Sequence, residues 1–358
     1  MRHLELFAGI GGFRRAMDLL TDDHIMSFEC VGYSEIDTNA LKTYTANYNP
    51  GPEEIVIGDI VAFTSDHERI ADLPDFDLLT GGFPCQTFSM MGKQKGFNED
   101  RGQMFFRILD ILSIKRPRYV LLENVKNLYT HDNRRTYERI EQELNNLGYN
   151  VTSSIFNTVD FKLPQKRSRI LIFATTDALP NGFQDEFTSD NIKACFEAFY
   201  RKSSLITADS VIDFLKKEVD KKYFLSEKIK PTILSDGSGK FKSNSEINQE
   251  IARTLTASMH KMHRACQDNY YSTDFIESNG RENPAKTKSK DELVNLQIRR
   301  ITPEEAFLLQ GFPEEFALKA RTAKVSDIAL YKQAGNAVSV NTIYAVLYYL
   351  IKNNIITE

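Results

Sequence analysis

The sequence has no apolar run approaching the roughly 20 residues that a bilayer span needs, so nothing in it points to a membrane. Its four cysteines (Cys30, Cys85, Cys195 and Cys266) form neither a CxxC pair nor a disulfide-framework spacing. That argues against a disulfide scaffold and a thiolate zinc site, and it fits a reducing compartment. No metal is expected. Charge of one sign is not in excess either: 45 Lys and Arg against 49 Asp and Glu leave a net −4. The molecule as a whole is therefore no polycation built for nucleic acid. Internal repeats and low-complexity tracts are absent. Met1-Arg2-His3-Leu4-Glu5-Leu6 runs straight into structured-looking sequence, so a signal peptide is not expected and a cytoplasmic location is. What remains is an ordinary globular balance, 41% apolar and 26% charged over 358 residues. At about 150 residues per domain, that length suggests two lobes.

The first half alternates β-like runs with amphipathic stretches. The pattern predicts strands at Leu4–Phe7, Cys30–Ser34, Asp77–Thr80, Tyr119–Glu123, Val151–Asn157 and Ile170–Ala174. It predicts helices at Gly12–Leu20, Thr38–Tyr48, Gln103–Ile114 and Arg135–Leu147. Such alternation implies an α/β fold with a parallel, doubly wound, Rossmann-like sheet. Ligands on these sheets sit beyond the carboxyl ends of the strands. The alternation fades after about residue 180, where turn-rich segments such as Ser235-Asp236-Gly237-Ser238-Gly239 appear, and a last apolar helix is expected at Val340–Ile351. Residues 228–300 carry 13 basic against 9 acidic side chains, a local +4.

Four constellations could carry chemistry. Leu4-Glu5-Leu6-Phe7-Ala8-Gly9-Ile10-Gly11-Gly12-Phe13 reads as a strand, a glycine-rich turn and a helix start. Glycines there let the backbone approach a ligand and leave helix-start amides facing it. With Glu35 ending the second expected strand and Asp59 in Gly58-Asp59-Ile60 read as a further strand-end acid, an adenosine-containing cofactor is the better reading than a merely tight turn. Second, Cys85 follows the strand Asp77–Thr80 after a Gly-Gly turn, as a thiolate nucleophile or as a small buried hydrophobe. Third, Glu123 ends an apolar strand, where a carboxyl could carry a proton or cap a helix. Fourth, Gln165-Lys166-Arg167-Ser168-Arg169 places Arg167 and Arg169 on one face if the strand has already begun there. Arginines on that face suit a carbonyl or phosphate partner, or form a solvated cluster.

As an ordered set, these motifs resemble the DNA (cytosine-5) methyltransferases, especially the compact bacterial restriction–modification type. The order is the Phe-x-Gly-x-Gly turn, Pro84-Cys85-Gln86, Glu123-Asn124-Val125 and Gln165-x-Arg167-x-Arg169, then a variable region. Two closing motifs follow, Arg299-Arg300-Ile301-Thr302-Pro303 with Gln310-Gly311-Phe312-Pro313, and Gln333-Ala334-Gly335-Asn336-Ala337-Val338. The match covers residues 4–174 and about 296–345. The resemblance implies that Cys85 attacks C6 of the target cytosine, Glu123 bonds N3 and the exocyclic amine, Arg169 holds O2 and Arg167 supports the site. It implies S-adenosylmethionine as methyl donor, held by Phe7, Gly9, Gly11, Gly12, Glu35, Ile36, Asp59, Ile60, Pro84, Asn336 and Val338. Duplex DNA would be met by Gln86, Ser89 and Arg101 in a mobile loop and by Arg253, Thr254, Lys261 and Arg264 in the variable region.

The implied organisation is a catalytic domain of residues 1–180 plus 333–358, a target-recognition domain of 181–296, and a hinge of 297–332. Glu5 stands where many members have Asp, and Ile36 where some have Trp. The second departure removes an aromatic wall beside adenine and so bears on cofactor affinity. A monomer is expected; a cognate restriction endonuclease acting separately and an orphan enzyme are both left open by the sequence. Competing readings are a tRNA cytosine-5 methyltransferase and a catalytically silent DNA-binding relative. A nicotinamide dehydrogenase lacks support, since GxGxxG is missing.

Overall fold

A computed structural model describes residues 1–84, 104–237 and 242–358. The chain divides into two compact units, one made of Met1–Asn157, Ser168–Leu205 and Thr342–Glu358, the other of Thr158–Arg167 and Ile206–Asn341.

The first unit is built on a seven-stranded sheet. Its strands are β1 (Arg2–Leu6), β2 (Glu29–Tyr33), β3 (Ile55–Val56), β4 (Leu78–Gly82), β5 (Tyr119–Val125), β6 (Asn150–Asn157) and β7 (Ser168–Thr175), in the order β3-β2-β1-β4-β5-β7-β6. Strands covered on both faces read as continuous apolar runs, and Tyr119-Val120-Leu121-Leu122 is fully buried. Helices α1 (Gly12–Asp22) and α2 (Thr38–Tyr48) follow β1 and β2. Phe13, Ala16, Met17 and Leu20 make the buried stripe of α1 at helical spacing. Pairing of β1 with both β2 and β4 makes the gap between β1 and β4 the point where strand order reverses. Doubly wound sheets bind ligands at that point.

The sheet is not wholly parallel. β7 runs antiparallel to both β5 and β6. A parallel return needs a crossover of a dozen or more residues, usually a helix, and only Thr158–Arg167 lies between β6 and β7. The reversal has a functional result: the amino end of β7, with Arg169, lies at the edge where the parallel strands end. The two-residue β3 escaped the sequence reading because Ile55 and Val56 are exposed and carry no burial pattern. Residues 181–205, beyond the boundary expected at 180, pack on the sheet. Phe187 sits 5.8 Å from Phe156 and 6.4 Å from Phe173, ring to ring.

The second unit holds a two-stranded antiparallel sheet, β8 (Tyr270–Ser272) and β9 (Ile298–Arg300). Its core gathers Leu225, Ile233, Leu234, Ile247, Tyr270, Leu293 and Ile298. Behind β9 lies a fully buried ion pair in which Arg299 Nη1 and Nη2 donate to Glu305 Oε2 and Oε1 at 2.9 and 2.7 Å. Glu305 also accepts from the amides of Lys216 and Thr302, and Arg299 donates to the Lys216 carbonyl. Among the described residues, the helical stretch Asp327–Lys352 reaches the length and hydropathy of a membrane span. Since 83% of its apolar window is buried, it serves as core.

Candidate active site

The turn after β1 is left-handed at Phe7 (φ 53°), Gly9 (56°) and Gly11 (80°). Gly11 is required twice over, by its φ and because a Cβ would overlap the Tyr48 ring. A Cβ on Gly9 would meet nothing within 4 Å. The loop is thus buttressed on one side and open on the other. Glu35, just past β2, is fixed by three backbone amides: Gly9 donates to Oε2 at 2.8 Å, and Ile36 and Asp37 donate to Oε1 at 2.7 Å. Beside it Ile36 is 70% exposed, an apolar side chain left in solvent at the ligand edge. Asp59 caps the helix Ile60–Thr64, its Oδ1 accepting from the Val61 amide at 2.9 Å. Ile60 lies in the core, so its side chain is not open to a cofactor and only its backbone is in reach.

Under the same loop lies a buried ionisable layer. Arg14 of α1 pairs with Glu54 at 2.6 Å and donates to Tyr44 Oη at 3.1 Å. The fully buried Glu5 carboxyl faces the Phe13 and Arg14 amides without a partner at hydrogen-bonding geometry. Burial pushes its pKa up to about 8, against the pull of Arg14, so it is largely protonated at neutral pH. A folded pKa above the unfolded one gives stability that is complete below about pH 4.5 and is lost as pH rises through about 8. Burial raises Asp18 to about 6, so it is mostly ionised by pH 6.5, and holds His3 down to about 3, so its unfolded imidazole adds a smaller change of opposite sign as pH rises above 6.5. Raising pH from 6.5 to 8 is therefore expected to lower the urea midpoint, and Glu5→Gln to remove most of that slope. Equal slopes in the two proteins would show that Glu5 is charged in the fold.

At the carboxyl end of β4 the chain turns through the buried Phe83. Asn124 Nδ2 donates to the Phe83 carbonyl at 2.8 Å while Asn124 Oδ1 accepts from the Val125 amide. This residue fixes the turn two positions before Cys85. Cys85, Gln86, Ser89 and Arg101 lie outside the described residues. Arg169 pairs with Val125 across β5 and β7, which puts it diagonally across from Glu123 on the same face. Arg169 Nε meets Glu123 Oε1 at 2.9 Å, with both side chains mostly buried.

Arg167 does not share that face. The strand begins at Ser168, one residue too late for the expected alternation. Arg167 is buried in the second unit, where Nη1 donates to the Leu255 and Gly335 carbonyls at 3.2 Å and Nη2 to the Ala337 carbonyl at 2.7 Å. It is a positioning residue. Gln165 works beside it, accepting from the Leu255 amide and donating to the Leu309 carbonyl. Asn336 is exposed at the end of the helix Asp327–Asn336, and Val338 is buried. A cleft of about 460 Å³ in this unit is lined by Lys166, Arg253, Thr254, Thr256, Ser258, His263, Cys266 and Gln267. Lys261 is exposed nearby in sequence and Arg264 is half-buried; neither lines the cleft.

Sequence reasoning quoted Asn124 and Gln165 within motifs but gave them no role, and did not name Asn269; the amides of all three pin backbone that is distant in sequence. The only available signal was a polar amide side chain within or near each motif. Among the described residues no three His, Cys, Asp or Glu side chains gather as a metal site would require.

Comparison with known proteins gives concordant results. The family model described as C-5 cytosine-specific DNA methylase matches residues 1–352. A Type II methyltransferase, M1.ScrFI of Lactococcus lactis subsp. cremoris, is 38% identical over 96% of this chain and 76% of its own length. M.SsoII of Shigella sonnei is 38% identical over 98% and 80%. In three dimensions the Dnmt2 methyltransferase of S. pombe superposes with a TM-score of 0.71 at 21% identity, covering 99% of each chain.

Proposed function

The chain belongs to the C-5 cytosine-specific DNA methylase family, and from that premise we propose that it moves a methyl group from S-adenosylmethionine to C5 of a cytosine in a short duplex site. The observation that carries this reading is the Glu123–Arg169 pair on one face of β5 and β7, with Asn124 holding the turn that leads to Cys85.

The residues on the glycine-turn side suit the donor. Glu35 is held where a carboxylate can accept from ribose hydroxyls, Gly9 is open, and Ile36 offers an apolar surface to adenine. Phe7, Gly11, Gly12, Asp59, the Ile60 backbone and Pro84 complete that side. When bound, S-adenosylmethionine supplies an electrophilic methyl group.

Cytosine C5 is a poor nucleophile, so the ring must be activated first. Cys85 Sγ attacks C6, and the electron pair of the C5–C6 bond becomes available at C5. Glu123 bonds N3 and the exocyclic amine as charge develops, and Arg169 holds O2. After transfer, a base removes the C5 proton, the C5–C6 double bond re-forms and Cys85 leaves. The target carbon is inside the stack, so the nucleotide is flipped out at a cost of a few kcal/mol. Gln86, Ser89 and Arg101 hold that state, while Arg253, Thr254, Lys261 and Arg264 meet the duplex. The enzyme acts as a monomer in the cytoplasm, as the modification partner of a separate restriction endonuclease.

The test is transfer from labelled S-adenosylmethionine to unmethylated genomic DNA, followed by bisulfite sequencing. Methylated cytosines in one short repeated context are expected, with Glu123→Gln about 10²- to 10³-fold slower. Incorporation into tRNA run in parallel, with none into DNA, would overturn the DNA reading.

A further inference from the structure

The cleft of the second unit contains one side chain prepared for a base edge. Arg253 is held at its backbone by the Asn269 side chain, whose Oδ1 accepts from the Arg253 amide at 2.8 Å and whose Nδ2 donates to the Arg253 carbonyl at 3.2 Å. Its neighbours are pinned from the other side: Lys166 donates to the Ala252 carbonyl, Ala252 to Pro164, and Thr254 Oγ1 to the Lys166 carbonyl. The side chain is fixed as well, since Nε donates to the Ala265 carbonyl at 3.0 Å. That bond sets the guanidinium plane. Among the described residues no carboxylate pairs with Arg253, and its two Nη groups hold no hydrogen bond.

We propose that Arg253 is a specificity-determining residue that reads a guanine of the target site through O6 and N7 in the major groove. The proposal rests on the duplex-methylating reading above. A planar fork with both ends unoccupied matches two adjacent acceptors, and among base edges in the major groove only guanine offers that pair. A phosphate would accept the same fork, but the geometry favours the base: Arg253 is half-buried and oriented before any ligand arrives, whereas the exposed ammonium of Lys166 suits a backbone anion. Thr256 and Ser258, with hydroxyl oxygens 3.5 Å apart, add short polar groups to the same wall.

Sequencing of the wild-type product defines the site, and kcat/KM is then measured on duplexes with each guanine replaced in turn by 7-deazaguanine, which lacks the N7 acceptor. One position is expected to slow the wild type, and Arg253→Ala to slow the natural duplex about 5- to 150-fold while becoming indifferent to that replacement. Arg253→Lys, which keeps the charge and loses the planar fork, should fail similarly. Because the 7-deazaguanine series uses the unaltered protein, an Arg253→Ala variant that fails to fold leaves the inference exposed to refutation. Equal weakening on every duplex, with a shallower salt dependence, would make Arg253 a phosphate contact and overturn the inference. A wild type insensitive to 7-deazaguanine at all positions would do the same. Absence of methyl transfer to any duplex would instead overturn the parent reading, and this one with it.

Discussion

Replacing Cys85 by alanine is expected to lower methyl transfer by about four orders of magnitude or more, the scale seen when a covalent nucleophile is removed. The reason is chemical. On the proposed mechanism, C5 carries no electron pair able to take a methyl group without attack at C6, and hydrogen bonds from Glu123 and Arg169 would polarise a ring that never becomes nucleophilic. Serine should serve no better, because its hydroxyl is un-ionised at neutral pH while a thiol supplies thiolate. Duplex and cofactor binding should persist, since the residues proposed to meet the duplex and the donor are untouched. Release of tritium from C5-labelled cytosine gives a second readout, because exchange at C5 also requires the adduct. A variant that keeps more than a few per cent of either activity would remove Cys85 from the mechanism.

Arg299→Met should produce the largest loss of stability. The side chain is 1% exposed and Glu305 is fully buried, so water cannot take over when the cation is removed. Breaking one partner of such a pair costs about 3–5 kcal/mol because it strands the other charge. Here the loss is compounded, since the Lys216 carbonyl loses its donor as well. Urea unfolding followed by hydrogen exchange should show the change in the amides of residues 206–341, with β1 to β7 protected as before. A midpoint within experimental error of the parent would mean that the pair is dispensable.

Much of the sheet unit was legible in advance because its signals are local. Thr38–Tyr48 forms the helix its pattern predicts, with Asp37 accepting from the Asn39 and Ala40 amides at its start. Apolar runs located the strands to within a residue or two. Where the reading failed, the deciding contact was distant. Whether Arg167 and Arg169 share a face depends on where β7 begins, and that is set by pairing with β5 and by carbonyls at Leu255, Gly335 and Ala337. The amide clamps were invisible for the same reason: Asn124 reaches a carbonyl 41 residues away, and Gln165 an amide 90 away. An asparagine or glutamine beside a motif looks the same in sequence whether it pins backbone or faces water. The second unit was hardest, because short helices and a two-stranded sheet leave little periodicity to read.

The sheet unit is closed by its last segment, Thr342–Glu358, in which Tyr344 donates to Asp23 of the opening helix region at 2.7 Å and Tyr348 stacks on Phe199 at 4.3 Å. During synthesis this segment leaves the ribosome only after all of residues 206–341 have been made. A nascent chain therefore carries the strands and residues 206–341 while the buried face meant for the final helix is still exposed to solvent. Premature termination anywhere before that helix yields no smaller version of the enzyme. It yields a sheet with an unfilled apolar face, which is a substrate for chaperones and proteases.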